Sequence, residues 1–195
     1  MSGDKIRVYW DACIFLAWLK NESRNDPADM LGVEDQVNQF DAGQIIVVTS
    51  VLTKPEVLAC SITPEAVKRF ELLQQQRVEN FYMAEVNFRI ADLAHDIRNY
   101  YKNIAPIYGP VLTTPDAIHL ATAIKLNCNA FYTFDGDGNH MKKKRALPLL
   151  QLSGQIAGQY ELTIAKPPPP NQQSFVLDEL LESGITTPIT TKTSD

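Results

Sequence analysis

The sequence predicts a three-layer α/β/α fold with a central parallel sheet. Three observations support this fold class. Short apolar segments typical of buried strands recur along the chain, segments with helical periodicity alternate with them, and 195 residues suffice for one core without disulfide or zinc staples. Strands that alternate with helices form parallel sheets, because each right-handed crossover returns the chain to the same edge and places a helix on one face.

Two buried strands and four helices are predicted in the first half of the chain. The strands are short, apolar and rich in β-branched and aromatic residues. Asp26 followed by Pro27 marks a helix start, and Thr63 is a helix cap. The predicted strands are residues 6–10 and 45–49, and the predicted helices are residues 12–20, 26–40, a short helix with Pro55 in its first turn, and 63–76.

The second half of the chain is predicted to continue the alternation. Its clearest element is an amphipathic helix over residues 87–101, which places Ile90, Leu93 and Ile97 on one face. The other predicted elements are a weaker strand at residues 81–83, a helix that begins at Thr114 and Pro115 and runs to Lys125, and a buried strand at residues 130–134.

The composition changes after Lys166. Residues 167–170 are four prolines, which favour a polyproline II segment, and residues 186–195 are rich in threonine and are expected to be disordered. Two helical turns are possible between them, at residues 175–182. We therefore expect one domain over residues 1–165 and a Pro/Thr-rich, disordered tail over residues 166–195.

Composition and cysteine usage indicate a cytoplasmic protein without a membrane segment. The three cysteines are widely spaced and form no CxxC pair, so we interpret them as reduced. No run reaches the roughly 18 apolar residues of a membrane helix, and the charged N-terminus does not resemble a signal peptide. The net charge of −5 by itself disfavours a nucleic-acid partner, but an acidic metal site adds negative charge that bound cations neutralise.

Four carboxylates lie at predicted junctions between strands and helices, in otherwise apolar surroundings. An isolated ionised carboxylate in such surroundings is costly unless it is paired or bound to metal. Because the carboxyl ends of parallel strands meet at one edge of a sheet, we expect these side chains to converge there. The four residues are Asp11, Glu56, Asp116 and Asp135.

Converging carboxylates predict a site for a hard divalent cation. No cluster of cysteine and histidine offers softer ligands, so Mg²⁺ or Mn²⁺ is favoured over zinc. Such an ion can generate hydroxide and stabilise charge in a phosphodiester displacement, which is the chemistry of a hydrolytic nuclease. Taken singly, each acid also fits a structural role: Glu56 and Asp116 as first-turn acids, Asp11 and Asp135 as turn formers.

Four sequence segments together resemble the PIN domain family, over roughly residues 5–165. They are VYWDACIFLAWL around Asp11, VTSVLTKPEVL around Glu56, IADLAHDIRNYY, and TTPDAIHLATAIKLNCNAFYTFD with Asp116 and Asp135. The resemblance implies a PIN-like α/β/α sandwich, acids that bind one or two Mg²⁺ or Mn²⁺ ions, and endoribonuclease activity. Many small bacterial members are toxins of the VapC type, inhibited by a partner antitoxin and often dimeric.

The resemblance also suggests a role for individual positions. Asp11, Glu56 and Asp116 match the three most regular acids of the family, and Asp135 matches the fourth. Asp137 falls where many members place another acid, which makes it a possible further metal ligand. The remaining matches are polar neighbours expected to orient the ligands, namely Ser50 and Thr133.

Two weaker signals have competing interpretations. His119 follows Asp116 by three residues and can share its helix face, but a packed helix histidine is the favoured interpretation over a ligand or catalytic role. A basic run could bind RNA phosphates, although short basic runs are usually solvated surface. The run consists of Lys142, Lys143, Lys144 and Arg145.

The sequence thus predicts a divalent-metal-dependent endoribonuclease with an RNA substrate. An antitoxin partner and a homodimer are further expectations from the resemblance. Two alternatives stay open at this point: a PIN-fold module that binds RNA or protein without cutting, and a nuclease that acts on DNA.

Overall fold

The computed structural model of the chain describes residues 5–75, 79–105, 109–137 and 146–170. The predicted α/β/α architecture is confirmed, with a six-stranded sheet between two layers of helices. The strands are β1 (Ile6–Trp10), β2 (Ile45–Ser50), β3 (Phe81–Ala84), β4 (Ala130–Tyr132), β5 (Gly154–Ile156) and β6 (Tyr160–Ala165). The helices are α1 (Ala12–Lys20), α2 (Pro27–Asp41), α3 (Thr53–Leu58), α4 (Pro64–Gln75), α5 (Phe88–Ile104) and α6 (Thr114–Lys125), with a 3-10 turn at Leu149–Leu152.

The strand order is β3-β2-β1-β4-β6-β5. Five strands run parallel, as predicted, whereas β5 pairs antiparallel with β6. The antiparallel pair is a tight hairpin whose turn contains Ala157 and Gly158, both with positive φ. A connection this short can only reverse the chain, so the predicted parallel sheet acquires one antiparallel edge strand.

Alternation along β1 divides the core into two clusters. Successive side chains of a strand point to opposite faces. Tyr9 accordingly packs with residues of α5 and α6. Its ring stacks on Phe131 of β4, with ring centroids 4.7 Å apart. Trp10 packs on the other face with residues of α1 and α2, including Phe15.

Helix caps explain where most helices begin. Asp26 and Asn87 accept hydrogen bonds from the backbone N–H groups of Ala28 and Ile90, at 2.9 and 3.1 Å. Helix α6 begins at Thr114 and ends at Lys125, as predicted, and its cap is Thr113. Two predicted ends were wrong by two residues or more: β4 ends at Tyr132, not at residue 134, and α5 continues to Ile104, not only to residue 101. The backbone N–H of Thr133 still donates to the carbonyl of Ala165 at 3.0 Å, and the next N–H, of Phe134, donates to the sulfur of Cys13 on α1 at 3.1 Å.

The segment after β6 packs against α2. Pro167 is buried, and its carbonyl lies so close to Gly32 that a Cβ there would come within 2.1 Å of the oxygen. Lys166 donates to the buried carboxylate of Asp29 at 3.1 and 3.2 Å. Lys166 and Pro167 therefore contact α2, while the boundary at residue 165 stays a prediction. None of the helices described is long and apolar enough to span a bilayer.

Candidate metal centre

Three adjacent strands bring the predicted acids to one edge of the sheet. β1 lies between β2 and β4, and all three are parallel, so their carboxyl ends point the same way. Asp11 directly follows β1 and is the N-cap of α1. Its backbone N–H donates to the carbonyl of Tyr132 at 3.1 Å, which ties it to the end of β4. Asp11 therefore lies at the middle of this edge.

Three donors fix the carboxylate of Asp11. The backbone N–H of Ala12 donates to Oδ1 at 2.8 Å, while the Thr133 hydroxyl donates to Oδ2 at 2.7 Å. The thiol of Cys13 donates to the same Oδ2 at 3.3 Å. Both carboxylate oxygens are therefore oriented by hydrogen bonds, and one of the donors is Thr133.

Thr133 and Cys13 also connect Asp11 to the loop that carries Asp135. The Thr133 hydroxyl oxygen accepts from the backbone N–H of Asp135 at 3.0 Å, and the Cys13 sulfur accepts from that of Phe134 at 3.1 Å. Asp135 in turn accepts from the backbone N–H of Leu149 at 3.0 Å. The loop after β4 is thus held against α1 on one side and against the 3-10 turn on the other.

Glu56 lies in the first turn of α3 and reaches towards α6. Its Oε2 lies 2.9 Å from Nε2 of His119, a residue that is only 1% exposed. One ligand atom each from Asp11, Glu56 and His119 lies within 4.8 Å of the other two. That spacing is close to the roughly 4 Å that separates opposite ligands of one Mg²⁺ ion.

Asp116 shares the electrostatic field of the same site. Burial raises the pKa of its carboxyl, and the nearby charges of Asp11 and Asp135 raise it further, against the lowering effects of a hydrogen bond from Thr113 and of His119. The net direction is upward. Asp11 and Asp135 are thus the two carboxylates whose charges act on Asp116.

The same field acts on His119. Burial lowers the pKa of the imidazole, but its hydrogen bond to Glu56 and the charges of Asp11, Glu56 and Asp116 raise it by more. The net direction is again upward. Four carboxylates and one imidazole therefore interact at this edge of the sheet.

Asp137 faces a different partner. Its Oδ2 lies 3.0 Å from Nζ of Lys166, the same ammonium that contacts Asp29. Its carboxylate thus already has a cation from the chain itself. The suggestion that Asp137 is a metal ligand stays a prediction from the family resemblance.

The remaining predicted site residues are Ser50 and the basic run. The Ser50 hydroxyl accepts from the backbone N–H of Leu52 at 3.3 Å and so acts on the turn that leads into α3, the helix of Glu56. The basic run at residues 142–145 lies outside the described residues.

Sequence reasoning missed several residues that orient the acids. Cys13 and Thr113 contact Asp11 and Asp116 directly, and Tyr9 contacts His119. The interpretation of His119 as a packed residue is correct as far as burial goes, but its ring also binds Glu56. In the sequence, a role for His119 at the site was indicated by its spacing of three residues from Asp116.

The chain belongs to the PIN domain family. The family model for the PIN domain matches residues 8–144, more than half of the sequence. Members of this family are generally nucleases. No curated protein matches the sequence.

Two solved structures illustrate the similarity. The crystal structure of FitAcB from Neisseria gonorrhoeae shares 17% identity, covers 66% of this chain and 87% of its own, and has a TM-score of 0.46. A toxin–antitoxin complex from Klebsiella pneumoniae shares 19% identity, covers 72% of this chain and 99% of its own, and has a TM-score of 0.42.

Proposed function

We propose that this protein is a divalent-metal-dependent endoribonuclease. The proposal rests on one observation: a carboxylate oxygen of Asp11 lies within 4.8 Å of one of Glu56, at the edge of the sheet where Asp116 and Asp135 add their charges. Like charges gathered in partly buried positions destabilise the metal-free protein, and a cation relieves that repulsion. Membership of the PIN family supports the same function.

The donor set fits Mg²⁺ or Mn²⁺. Its carboxylate oxygens are hard ligands, and several are oriented in advance by hydroxyl and backbone donors. The residues proposed to hold the ion are Asp11, Glu56, Asp116 and Asp135. A bound ion would supply an activated water and stabilise the charge that develops on the phosphate. Asp11, with both oxygens fixed, would set the position of the ion relative to the scissile bond.

RNA as the substrate, and the partners, are proposed from the family resemblance. In this proposal the run at residues 142–145 contacts RNA phosphates. A role as a toxin restrained by an antitoxin, and assembly as a homodimer, are further predictions. Growth arrest on expression of the wild type, but not of Asp11→Asn, would support the toxin role.

The test is digestion of labelled RNA and DNA. The purified chain is incubated with single-stranded RNA, single-stranded DNA and duplexes of the same sequence, in Mg²⁺, Mn²⁺ or EDTA, with Asp11→Asn as the control. We expect internal cleavage of RNA that requires the metal. Metal-dependent cleavage of DNA alone would identify a DNA nuclease, and binding without cleavage would identify a binding module; either result would overturn the proposal.

A further inference from the structure

A chain of buried hydrogen bonds connects β2 to the carboxylate of Glu56. The backbone N–H of Ser50 donates to the Tyr9 hydroxyl at 2.9 Å. That hydroxyl lies 2.6 Å from Nδ1 of His119, whose Nε2 lies 2.9 Å from Glu56 Oε2. Tyr9 is fully buried and His119 is 1% exposed, so solvent does not compete for the contacts that Tyr9 makes with Ser50 and His119.

The direction of the bond to Glu56 follows from its acceptor. An ionised carboxylate only accepts hydrogen bonds, so Nε2 of His119 carries the hydrogen and donates to Oε2. In the neutral ring Nδ1 then accepts from the Tyr9 hydroxyl, which itself accepts from Ser50. In the charged ring Nδ1 donates to Tyr9 instead. In both charge states His119 donates to Glu56.

The packing of Tyr9 fixes one end of this series of hydrogen bonds. Its ring stacks on Phe131 and meets the edge of the His119 ring with centroids 5.9 Å apart. Tyr9 packs in the core beneath α5 and α6, and His119 projects from α6 and is 1% exposed, so the imidazole has little freedom to rotate. The position of Nε2 is therefore set by α6 and the sheet, and not by the short helix that carries Glu56.

Glu56 needs such support more than Asp11 does. Its side chain has one more rotatable bond, is 34% exposed, and starts from a six-residue helix without a side-chain cap. Asp11 is fixed by three donors close to its own backbone. A flexible glutamate would lose side-chain entropy on binding an ion, and pre-orientation reduces that cost.

We propose that Tyr9 and His119 are positioning residues for Glu56, which hold Oε2 so that the carboxylate is oriented before a metal ion binds. This inference rests on the proposed function. Neither residue contacts substrate, and their role is to raise the affinity for the ion. Loss of comparable orienting contacts around metal ligands typically costs about 10- to 100-fold in affinity or activity.

Three variants and one control test the inference. Tyr9→Phe removes only the hydroxyl, His119→Leu removes the donor to Glu56, and His119→Gln offers an amide N–H in its place. The control is Tyr101→Phe, which removes a hydroxyl from the same core cluster, where it accepts from the backbone N–H of Ala157 at 3.1 Å. Each chain is assayed for Mn²⁺ affinity by calorimetry, for RNA cleavage over a range of Mn²⁺ concentrations, and for melting temperature in EDTA.

We expect Tyr9→Phe and His119→Leu to weaken Mn²⁺ binding by about 10-fold or more. His119→Gln should recover part of the loss, and excess Mn²⁺ should restore cleavage. Tyr101→Phe should lower the melting temperature to a degree similar to Tyr9→Phe and leave Mn²⁺ affinity unchanged. If Tyr9→Phe and His119→Leu bind Mn²⁺ as the wild type does, or lose affinity no more than Tyr101→Phe, the positioning role is wrong while the proposed function stands. A wild-type chain that binds no Mn²⁺ overturns both.

Discussion

The fold contains two groups of acidic residues, which differ in the kind of group that binds their carboxylates. We call Asp29 and Asp137 the lysine-bridged acids, because Lys166 contacts both, at 3.1 and 3.0 Å. The metal-centre acids Asp11, Glu56, Asp116 and Asp135 are held chiefly by hydroxyl, backbone and imidazole donors where their contacts are described. A lysine neutralises the charge it holds, whereas the hydroxyl and backbone donors of Asp11, Asp116 and Asp135 orient a carboxylate and leave it negative. Orientation without neutralisation is what a cation site requires.

The largest expected effect separates the two groups by activity. Asp11→Asn should lower kcat/KM for RNA by at least about 100-fold, because it removes a ligand that positions the ion. Asp137→Asn should lower it by less than about 10-fold, since Lys166 already binds that carboxylate. Steady-state cleavage of one labelled RNA by both variants measures the difference. Equal losses would place Asp137 at the metal centre, and equal activity of Asp11→Asn and wild type would remove Asp11 from it.

The next effect separates the groups by stability. Lys166→Met should destabilise the fold by about 2 kcal/mol, since it leaves the Asp29 carboxylate, whose side chain is 6% exposed, without its cation. The expected loss is less than for a fully buried pair because the lysine is partly exposed. Urea unfolding measures it, with the exposed Lys68→Met as the control. Similar unfolding midpoints for the two variants would contradict the structural role of the bridge.

At the metal centre, a substitution that removes a charge is expected to stabilise the protein, in contrast to Lys166→Met. In EDTA, Asp116→Asn should stabilise the protein by about 1 kcal/mol, because it removes one of several like charges. Mn²⁺ should then raise the melting temperature of the wild type more than that of the variant, since binding to the native state alone stabilises it. A less stable Asp116→Asn without any effect of Mn²⁺ would identify Asp116 as a purely structural acid.

A smaller effect concerns the C-terminal boundary. We propose that the domain ends near residue 170, because Pro167 is buried against α2. A chain truncated after Pro170 should unfold like the full chain, whereas truncation after Lys166 should cost roughly 1 kcal/mol of burial. Thermal unfolding of both truncated chains distinguishes them. Equal stability of the two truncated chains would place the boundary at residue 165. A large loss of stability on truncation after Pro170 would show that the remaining tail docks on the domain.

The smallest effect is a pH dependence of the metal-free protein. The pKa of Asp116 is raised in the folded state, chiefly by burial and also by Asp11 and Asp135. A raised carboxyl pKa means that the folded protein binds the proton more tightly than the unfolded chain does. The associated stability is therefore present below the ordinary pKa and is lost as pH rises through the raised one. Unfolding in EDTA across this acidic range should show the decline in wild type and a shallower one in Asp116→Asn; identical slopes would contradict it.

Local sequence patterns sufficed for most of the fold. The strands β1 and β2 and the helices α1 and α2 appear within two residues of their predicted bounds, because caps, prolines and apolar runs act over a few positions. β5 and β6 were missed. β6 alternates buried and exposed residues, but its partner β4 lies some thirty residues earlier, and a short strand forms only where such a partner exists.

The candidate site shows the same limit. The junction positions of Asp11 and Asp135 were visible in the sequence, and the structure places both beside Thr133. No local pattern links Tyr9 to His119, because their contact spans 110 positions and depends on how α6 packs on the sheet. The sequence indicated the charged residues and Thr133, whereas it carried no signal for the orienting contacts of Cys13, Thr113 and Tyr9.

The pairing of β6 with β4 has a consequence for anyone who isolates this domain. The family match ends at residue 144, yet the sheet continues to Ala165. A fragment cut at the end of the match would remove β6, one of the two strands that pair with β4, and uncover Phe131, which is fully buried. An apolar strand with unpaired N–H and C=O groups is a template for adding strands from other molecules. Such a fragment would be expected to aggregate, so the shortest piece suitable for expression should retain the hairpin of β5 and β6.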